Sequence, residues 1–208
     1  MAKKLHFQSE KKVLFKGTQF VIGTNQKIPI VKRVVWAGKS REEFLKYGRS
    51  AKISLPVSQI LNSKSAHHLI NQLHFKIPGD GVSFPWHTDL QNRMAFDKNW
   101  KDVNGNGCYV VAITALDKIT KENAPLFVLP GSHLLKDLNF SRFSKTESLP
   151  QILNAAESRV SLLMDRGDTV FIHPKLVHGS WENNSENERK VFINGFSYPG
   201  ANHAEYPG

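Results

Sequence analysis

Hydrophobic and polar positions along this chain alternate in short runs more often than they recur at helical spacing. Residues 13–23 and 28–36 alternate with a period near two, the signature of strands whose side chains point to opposite faces. Ser40-Arg41-Glu42-Glu43 reads as a capping box in which Ser40 and Glu43 satisfy the first amides of a helix running to about Tyr47. A second short helix is expected after Pro56. The later apolar runs, 68–77, 108–116, 126–129, 160–164, 169–173 and 190–198, are rich in Val, Ile and Phe and are separated by Gly, Pro, Asn and Asp. One helical insertion is expected at 149–157. Many short strands with few helices, most of them early, predict a mainly β chain in which two sheets enclose a cavity, a sandwich or jelly roll with a few flanking helices.

No internal repeat, low-complexity tract or long linker divides the chain, so residues 1–208 read as one domain with a short basic region at about 1–50. At 208 residues, 40% hydrophobic and 22% charged, the composition excludes a disordered tail, a coiled coil and a collagen-like fibre. No uncharged apolar run approaches the eighteen or so residues of a membrane span, and no apolar stretch follows the opening lysines, so neither a span nor a signal peptide is expected. The single cysteine, Cys108, calls for no oxidising compartment and makes the cytoplasm the default location.

The net charge of +10 raises the question of nucleic acid, and its distribution answers it. Residues 1–50 hold 12 Lys and Arg against 3 Asp and Glu, whereas the rest of the chain is almost neutral, 16 against 15. Lys3, Lys4, Lys11, Lys12 and Lys16 are scattered rather than gathered into a stripe, which favours a solvated surface over a nucleic-acid interface.

The chemistry gathers around two segments. In Phe84-Pro-Trp-His87-Thr-Asp89, one residue separates His87 from Asp89, so in an extended segment both side chains project to the same side and can share one metal. A third ligand is needed. Of the two histidines in Gly167-Asp-Thr-Val-Phe-Ile-His173-Pro-Lys-Leu-Val-His178-Gly-Ser180, His178 is preferred. It precedes a polar turn, and an antiparallel return would bring Arg189 back beside it; His173, followed by Pro174, reads as structural. Two histidines and a carboxylate on one face of a metal leave three positions open, the arrangement of non-haem Fe(II) oxygenases. If the co-substrate is 2-oxoglutarate, its far carboxylate needs a rigid, permanently charged partner, and Arg189 supplies one, with Ser180 able to add a hydroxyl donor.

On these residues the sequence resembles the phytanoyl-CoA dioxygenase family, iron(II)- and 2-oxoglutarate-dependent oxygenases on a double-stranded β-helix. The resemblance runs from about His68 to Tyr198. His87-Thr-Asp89 is similar to the family's His-x-Asp, Asn123-Ala-Pro-Leu126 to its Asn-Gly-Pro-Leu, and Pro130-Gly-Ser-His133 to its Pro-Gly-Ser-His. Gly167-Asp168, His178-Gly-Ser180 and Arg189 follow in the family's order. The resemblance implies iron ligation by His87, Asp89 and His178. It implies 2-oxoglutarate binding by Arg189 and Ser180, with Gln72 and Lys76 lining the co-substrate pocket on one face of a strand that also presents His74. Thr88 and Ile113 fall at pocket positions too. Ala124 stands where the family has glycine, and the amino-terminal region matches poorly.

The function expected is a dioxygenase that hydroxylates a small organic molecule, such as a natural-product intermediate, an amino acid or an acyl thioester, using O2 and releasing succinate and CO2. Related halogenases replace the carboxylate of His-x-Asp with a small residue, and Asp89 here argues for hydroxylation. Two rival readings are a zinc hydrolase on the same ligands, which leaves Arg189 unexplained, and a non-catalytic metal- or ligand-binding jelly roll with a basic amino-terminal interaction surface, which leaves the whole set unexplained. Trp86, Trp100 and Trp181 flank the metal motifs as packing residues or cavity lining, Cys108 reads as a buried strand residue, and Asp165 and Asp168 as turn residues.

Overall fold

The structure, a computed structural model, describes residues 10–25, 28–135 and 158–204. The helix expected at 149–157 lies outside the described residues. The amino-terminal alternation resolves into a hairpin rather than one strand: β1 (Lys11–Phe15) turns through Lys16 and Gly17 into β2 (Thr18–Asn25). Both turn residues have positive φ, 48° and 78°, the backbone a two-residue hairpin needs to match strand twist. The strand β3 (Ile28–Val35) follows.

The capping box does not form. Ser40 closes a short helix, α1 (Ala37–Ser40), and the residue preceding α2 (Glu42–Gly48) is Arg41, which makes no side-chain cap. The Ser40 hydroxyl is engaged elsewhere: it accepts from the Thr18 hydroxyl at 2.8 Å, while the Ser40 amide donates to Thr18 Oγ1 at 3.0 Å. Nor does a helix begin after Pro56, because α3 (Ala51–Leu61) contains that proline. Ile53, Val57 and Leu61, four residues apart, bury one face of α3, and the carbonyl that Pro56 leaves without its helical donor belongs to exposed Lys52.

The remaining elements are β4 (His67–Lys76), β5 (Phe84–His87), α4 (Asp89–Phe96), β6 (Tyr109–Ala115), β7 (Leu126–Val128), β8 (Val160–Leu162), β9 (Thr169–Ile172), β10 (His178–Ser180) and β11 (Arg189–Ser197), with a 3-10 turn at Ser132–Leu134. They build a seven-stranded sheet in the order β1-β2-β3-β4-β11-β6-β9 and a four-stranded sheet in the order β5-β10-β7-β8, antiparallel throughout. This is the mainly β, jelly-roll architecture that the sequence predicts.

The larger sheet is covered on both faces at β6, which is why every residue of that strand is buried and its sequence reads as one apolar run. Tyr109, Val111, Ile113 and Ala115 point into the core between the sheets with Ile172, Val191 and Met164. Val110 and Ala112 point the other way, onto Ile53, Val57 and Leu61 of α3 and onto Phe196. Cys108 is buried but sits one residue before β6, with φ 54°. Asn71 ties the helical layer to the sheet: its side chain accepts from the Gly38 amide at 2.8 Å and donates to Phe44 O and Asn194 Oδ1.

Candidate metal centre

Three side chains that the sequence separates by up to ninety-one positions converge here: donor atoms of His87, Asp89 and His178 all lie within 4.8 Å of one another. His87 ends β5 and His178 opens β10, and the two are register partners in the four-stranded sheet, with ring centroids 4.2 Å apart. Asp89 is not in the same strand as His87. Thr88 between them is extended, with φ −121°, and Asp89 is the first residue of α4. The Leu90 amide at that helix start donates to Pro174 O at 2.9 Å, which fixes Asp89 against the loop leading to β10. Asp89 Oδ1 lies 3.8 Å from His178 Nε2.

Both histidines are set to ligate. His87 Nδ1 lies 2.7 Å from Pro85 O, and His178 Nδ1 lies 2.8 Å from Leu176 O. A carbonyl only accepts, so each Nδ1 carries the proton and each Nε2 keeps a lone pair, the tautomer that a metal-bound histidine requires. Backbone around His178 is braced from behind by the Pro130-Gly-Ser-His133 motif, for the Ser132 hydroxyl accepts from the Val177 amide at 2.9 Å and the Leu129 amide donates to Val177 O. Ser132 has no part in the sequence reading, although its motif signalled it. Gly179 lets β10 pass: a Cβ there would stand 2.7 Å from the Phe127 ring and 2.8 Å from Phe84 O. Ala124, with φ 61°, occupies the left-handed conformation that glycine adopts without strain.

Arg189 does not return beside His178 on a paired strand. It opens β11 in the seven-stranded sheet, in register with Lys76, whereas β10 pairs with β5 and β7. The chain between them crosses from one sheet to the other, so Arg189 and the His87–His178 pair belong to opposing sheets. Arg189 is 6% exposed, and its Nε has no hydrogen-bond partner among the described residues. Burial, opposed by Asp80, brings its pKa to about 10, so it stays charged. A buried, under-bonded guanidinium is the partner a carboxylate needs.

The other expected pocket residues take different positions. Ser180 is buried at the end of β10, the strand that His178 opens. Gln72, His74 and Lys76 share one face of β4, and Gln72 Oε1 lies 3.0 Å from His74 Nε2. Lys76, 1% exposed, donates to Val82 O at 3.0 Å and also to Trp181 O. Burial, followed by the Arg189 charge, pushes its pKa down to about 7 against Asp80 and Glu182. Thr88 and Ile113 are buried. His173 sits outside the cluster, its Nε2 2.9 Å from Asn106 Oδ1, with its Nδ1 accepting from the Lys175 amide. Trp86 packs against Phe127 and Trp100 against Tyr109, whereas Trp181 is 45% exposed. Asp165 and Asp168 close a turn on each other.

The donor set fits a borderline, imidazole- and carboxylate-binding ion such as ferrous iron: two nitrogens with their tautomers set, one carboxylate, and no thiolate among the three. The comparisons agree with this chemistry. The chain is 39% identical to human peroxisomal phytanoyl-CoA dioxygenase over 88 residues, 39% of this chain and 26% of that protein. It therefore spans about a quarter of the length of the curated relatives of that name. To the multifunctional dioxygenase prhA of Penicillium brasilianum it is 23% identical over 188 residues, covering 79% of this chain and 58% of that one. In fold it is similar to EctD from S. alaskensis, solved with bound Fe (TM-score 0.72, 18% identity, 90% of this chain and 64% of that one). It is likewise similar to EctD solved with 2-oxoglutarate and 5-hydroxyectoine (TM-score 0.71, 18% identity, 86% and 61%). The model of one family, phytanoyl-CoA dioxygenase, matches residues 5–191, and with the ligand set inside that span the chain belongs to the phytanoyl-CoA dioxygenase family.

Proposed function

We propose that this chain is a non-haem Fe(II)- and 2-oxoglutarate-dependent dioxygenase that hydroxylates a small organic molecule. The observation that carries the reading is the pairing of the His87, Asp89 and His178 cluster on one side of the core with the under-bonded Arg189 guanidinium on the opposing sheet. When bound, iron and 2-oxoglutarate supply the oxidising power, reducing O2 as the co-substrate is decarboxylated to succinate and CO2.

The protein's own part is positioning. His87, Asp89 and His178 hold one face of the ion and leave the other open, Arg189 grips the far carboxylate of 2-oxoglutarate through parallel hydrogen bonds, and Ser180 adds a hydroxyl donor. Gln72 and Lys76 line the same pocket from β4. The apolar wall of Ile113, Val191 and Ile193 excludes water around them. Asp89 would supply a carboxylate ligand where a halogenase needs room for a halide, which favours hydroxylation over halogenation. The single, buried Cys108 and the near-neutral body of the chain fit a cytoplasmic enzyme of one domain that acts on a small molecule, without nucleic acid as a partner.

The test is turnover under labelled dioxygen in high chloride, across a panel of organic substrates. Product carrying one labelled oxygen atom supports the reading, and a chlorinated main product overturns it.

A further inference from the structure

The inner face of β3 carries a cation that the co-substrate does not use. Arg33 on β3 is the register partner of His74 on β4, which is itself the partner of Val191 on β11. Partners across an antiparallel ladder present their side chains on the same face. Arg33 therefore shares the face of His74, Val191 and Ala115, the face turned toward the core between the sheets. His74 marks that direction independently: its ring lies 6.2 Å from the ring of Phe84, three residues before His87 on the opposing sheet. Burial, then the charges of Arg33, Arg189 and Lys76 in that order, push the His74 pKa down to about 3. His74 is thus a neutral ring among three cations.

Two of those cations are already engaged. Lys76 donates to the carbonyls of Val82 and Trp181, and Arg189 is the partner of the co-substrate's far carboxylate. Arg33 has no such engagement. It is half-buried, and among the described residues no side chain pairs with its guanidinium.

Its place in the sheet gives it access. The strand β5 is an edge of the four-stranded sheet, while the larger sheet continues past β4 to β3, β2 and β1. Among the described residues the inner face of β3 therefore runs on beyond the opposing sheet, where a molecule approaching the metal can meet it.

We infer that Arg33 holds an anionic group of the primary substrate, which makes that substrate an organic oxyanion, a carboxylate, phosphate or sulfate on a body whose oxidised C–H bond reaches the metal. A guanidinium is suited to this because its planar fork binds an oxyanion through two hydrogen bonds and keeps its charge at every physiological pH. The inference rests on the dioxygenase reading, and its test separates the two.

Protein loaded anaerobically with Fe(II) and 2-oxoglutarate is titrated by calorimetry with hexanoate, hexyl phosphate, hexyl sulfate and, as the neutral control, hexanol. Wild type is expected to bind at least one of the three anions and not hexanol. Arg33→Gln should weaken that anion by about tenfold or more, and Arg33→Lys should restore part of the loss. The affinity of Arg33→Gln for 2-oxoglutarate should stay within about twofold of wild type, a result that also reports an intact fold. Equal anion binding by wild type and Arg33→Gln overturns the inference, as does wild type that binds none of the anions. A loss of 2-oxoglutarate affinity in Arg33→Gln as large as in Arg189→Gln overturns it as well, by placing Arg33 on the co-substrate. Failure of the dioxygenase reading shows earlier and differently: wild type then takes up neither iron nor 2-oxoglutarate before any anion is added.

Discussion

His87 and His178 are register partners across β5 and β10, and each donates its Nδ1 proton to a carbonyl two residues earlier in its own chain, Pro85 and Leu176. The matched arrangement sets both Nε2 atoms toward one point before any metal arrives. Neither ring has to change tautomer to ligate, so the cost of assembling the site falls mainly on folding.

Iron binding should therefore depend on these two histidines and Asp89, and not on the other histidines nearby. His178→Ala should abolish stoichiometric Fe(II) uptake, while His173→Ala should retain it, because His173 is engaged by Asn106 and the Lys175 amide. Metal analysis of anaerobically prepared protein checks both. Retained iron in His178→Ala contradicts the ligand assignment.

Arg189→Lys should fold and bind iron, yet hold 2-oxoglutarate much more weakly. An ammonium cannot reproduce a planar fork, and roughly 1.5–3 kcal/mol per charge-assisted hydrogen bond is at stake, a loss of about tenfold or more in affinity. Titration of the anaerobic iron complex measures it. An unchanged dissociation constant places the carboxylate elsewhere.

Ser132→Ala removes the side-chain acceptor of the buried Val177 amide. The orphaned donor should lower stability by about 1–3 kcal/mol, read as a shift in the urea midpoint. Iron affinity should fall as well, because His178 follows Val177 directly. A variant as stable as wild type shows that the hydroxyl does not brace β10.

Acid should destabilise the protein partly through His68, remote from the metal on the helical side of the larger sheet. Its ring stacks on Phe196 at 4.5 Å and lies 3.0 Å from Asn194 Oδ1. Burial above all pushes its pKa down to about 4 from 6.5. The unfolded chain therefore takes up the proton more readily, so this contribution to stability is complete above pH 6.5 and is lost as pH falls from there toward 4. The loss amounts to roughly 3 kcal/mol over that window. Urea midpoints across the window should fall steeply in wild type and more gently in His68→Gln; equal slopes refute the assignment.

The strands of the core and the clustering of His87, Asp89 and His178 are legible because their signals are local. Alternation marks β3, and runs rich in Val, Ile and Phe mark β4 and β11, to within a residue or two, and His-x-Asp, the distal histidine and Arg189 carry their chemistry in their identities. Where the reading failed, long-range contacts decided. Ser40 looks like a cap until Thr18, twenty-two residues earlier, takes its hydroxyl, and the Lys16-Gly17 turn divides what alternation alone joins into one strand. The four-residue β5 and three-residue β10 are too short for a period to show. The route from His178 to Arg189 was drawn as a hairpin because nothing in the residues between them states that the chain changes sheets.

The central claim is tested most directly by succinate release from 2-oxoglutarate, measured with Fe(II) and O2 across a panel of organic acids. The account predicts succinate from wild type, raised by at least one of the acids, and none from His178→Ala. No succinate from wild type with any acid, or as much from His178→Ala as from wild type, would contradict it.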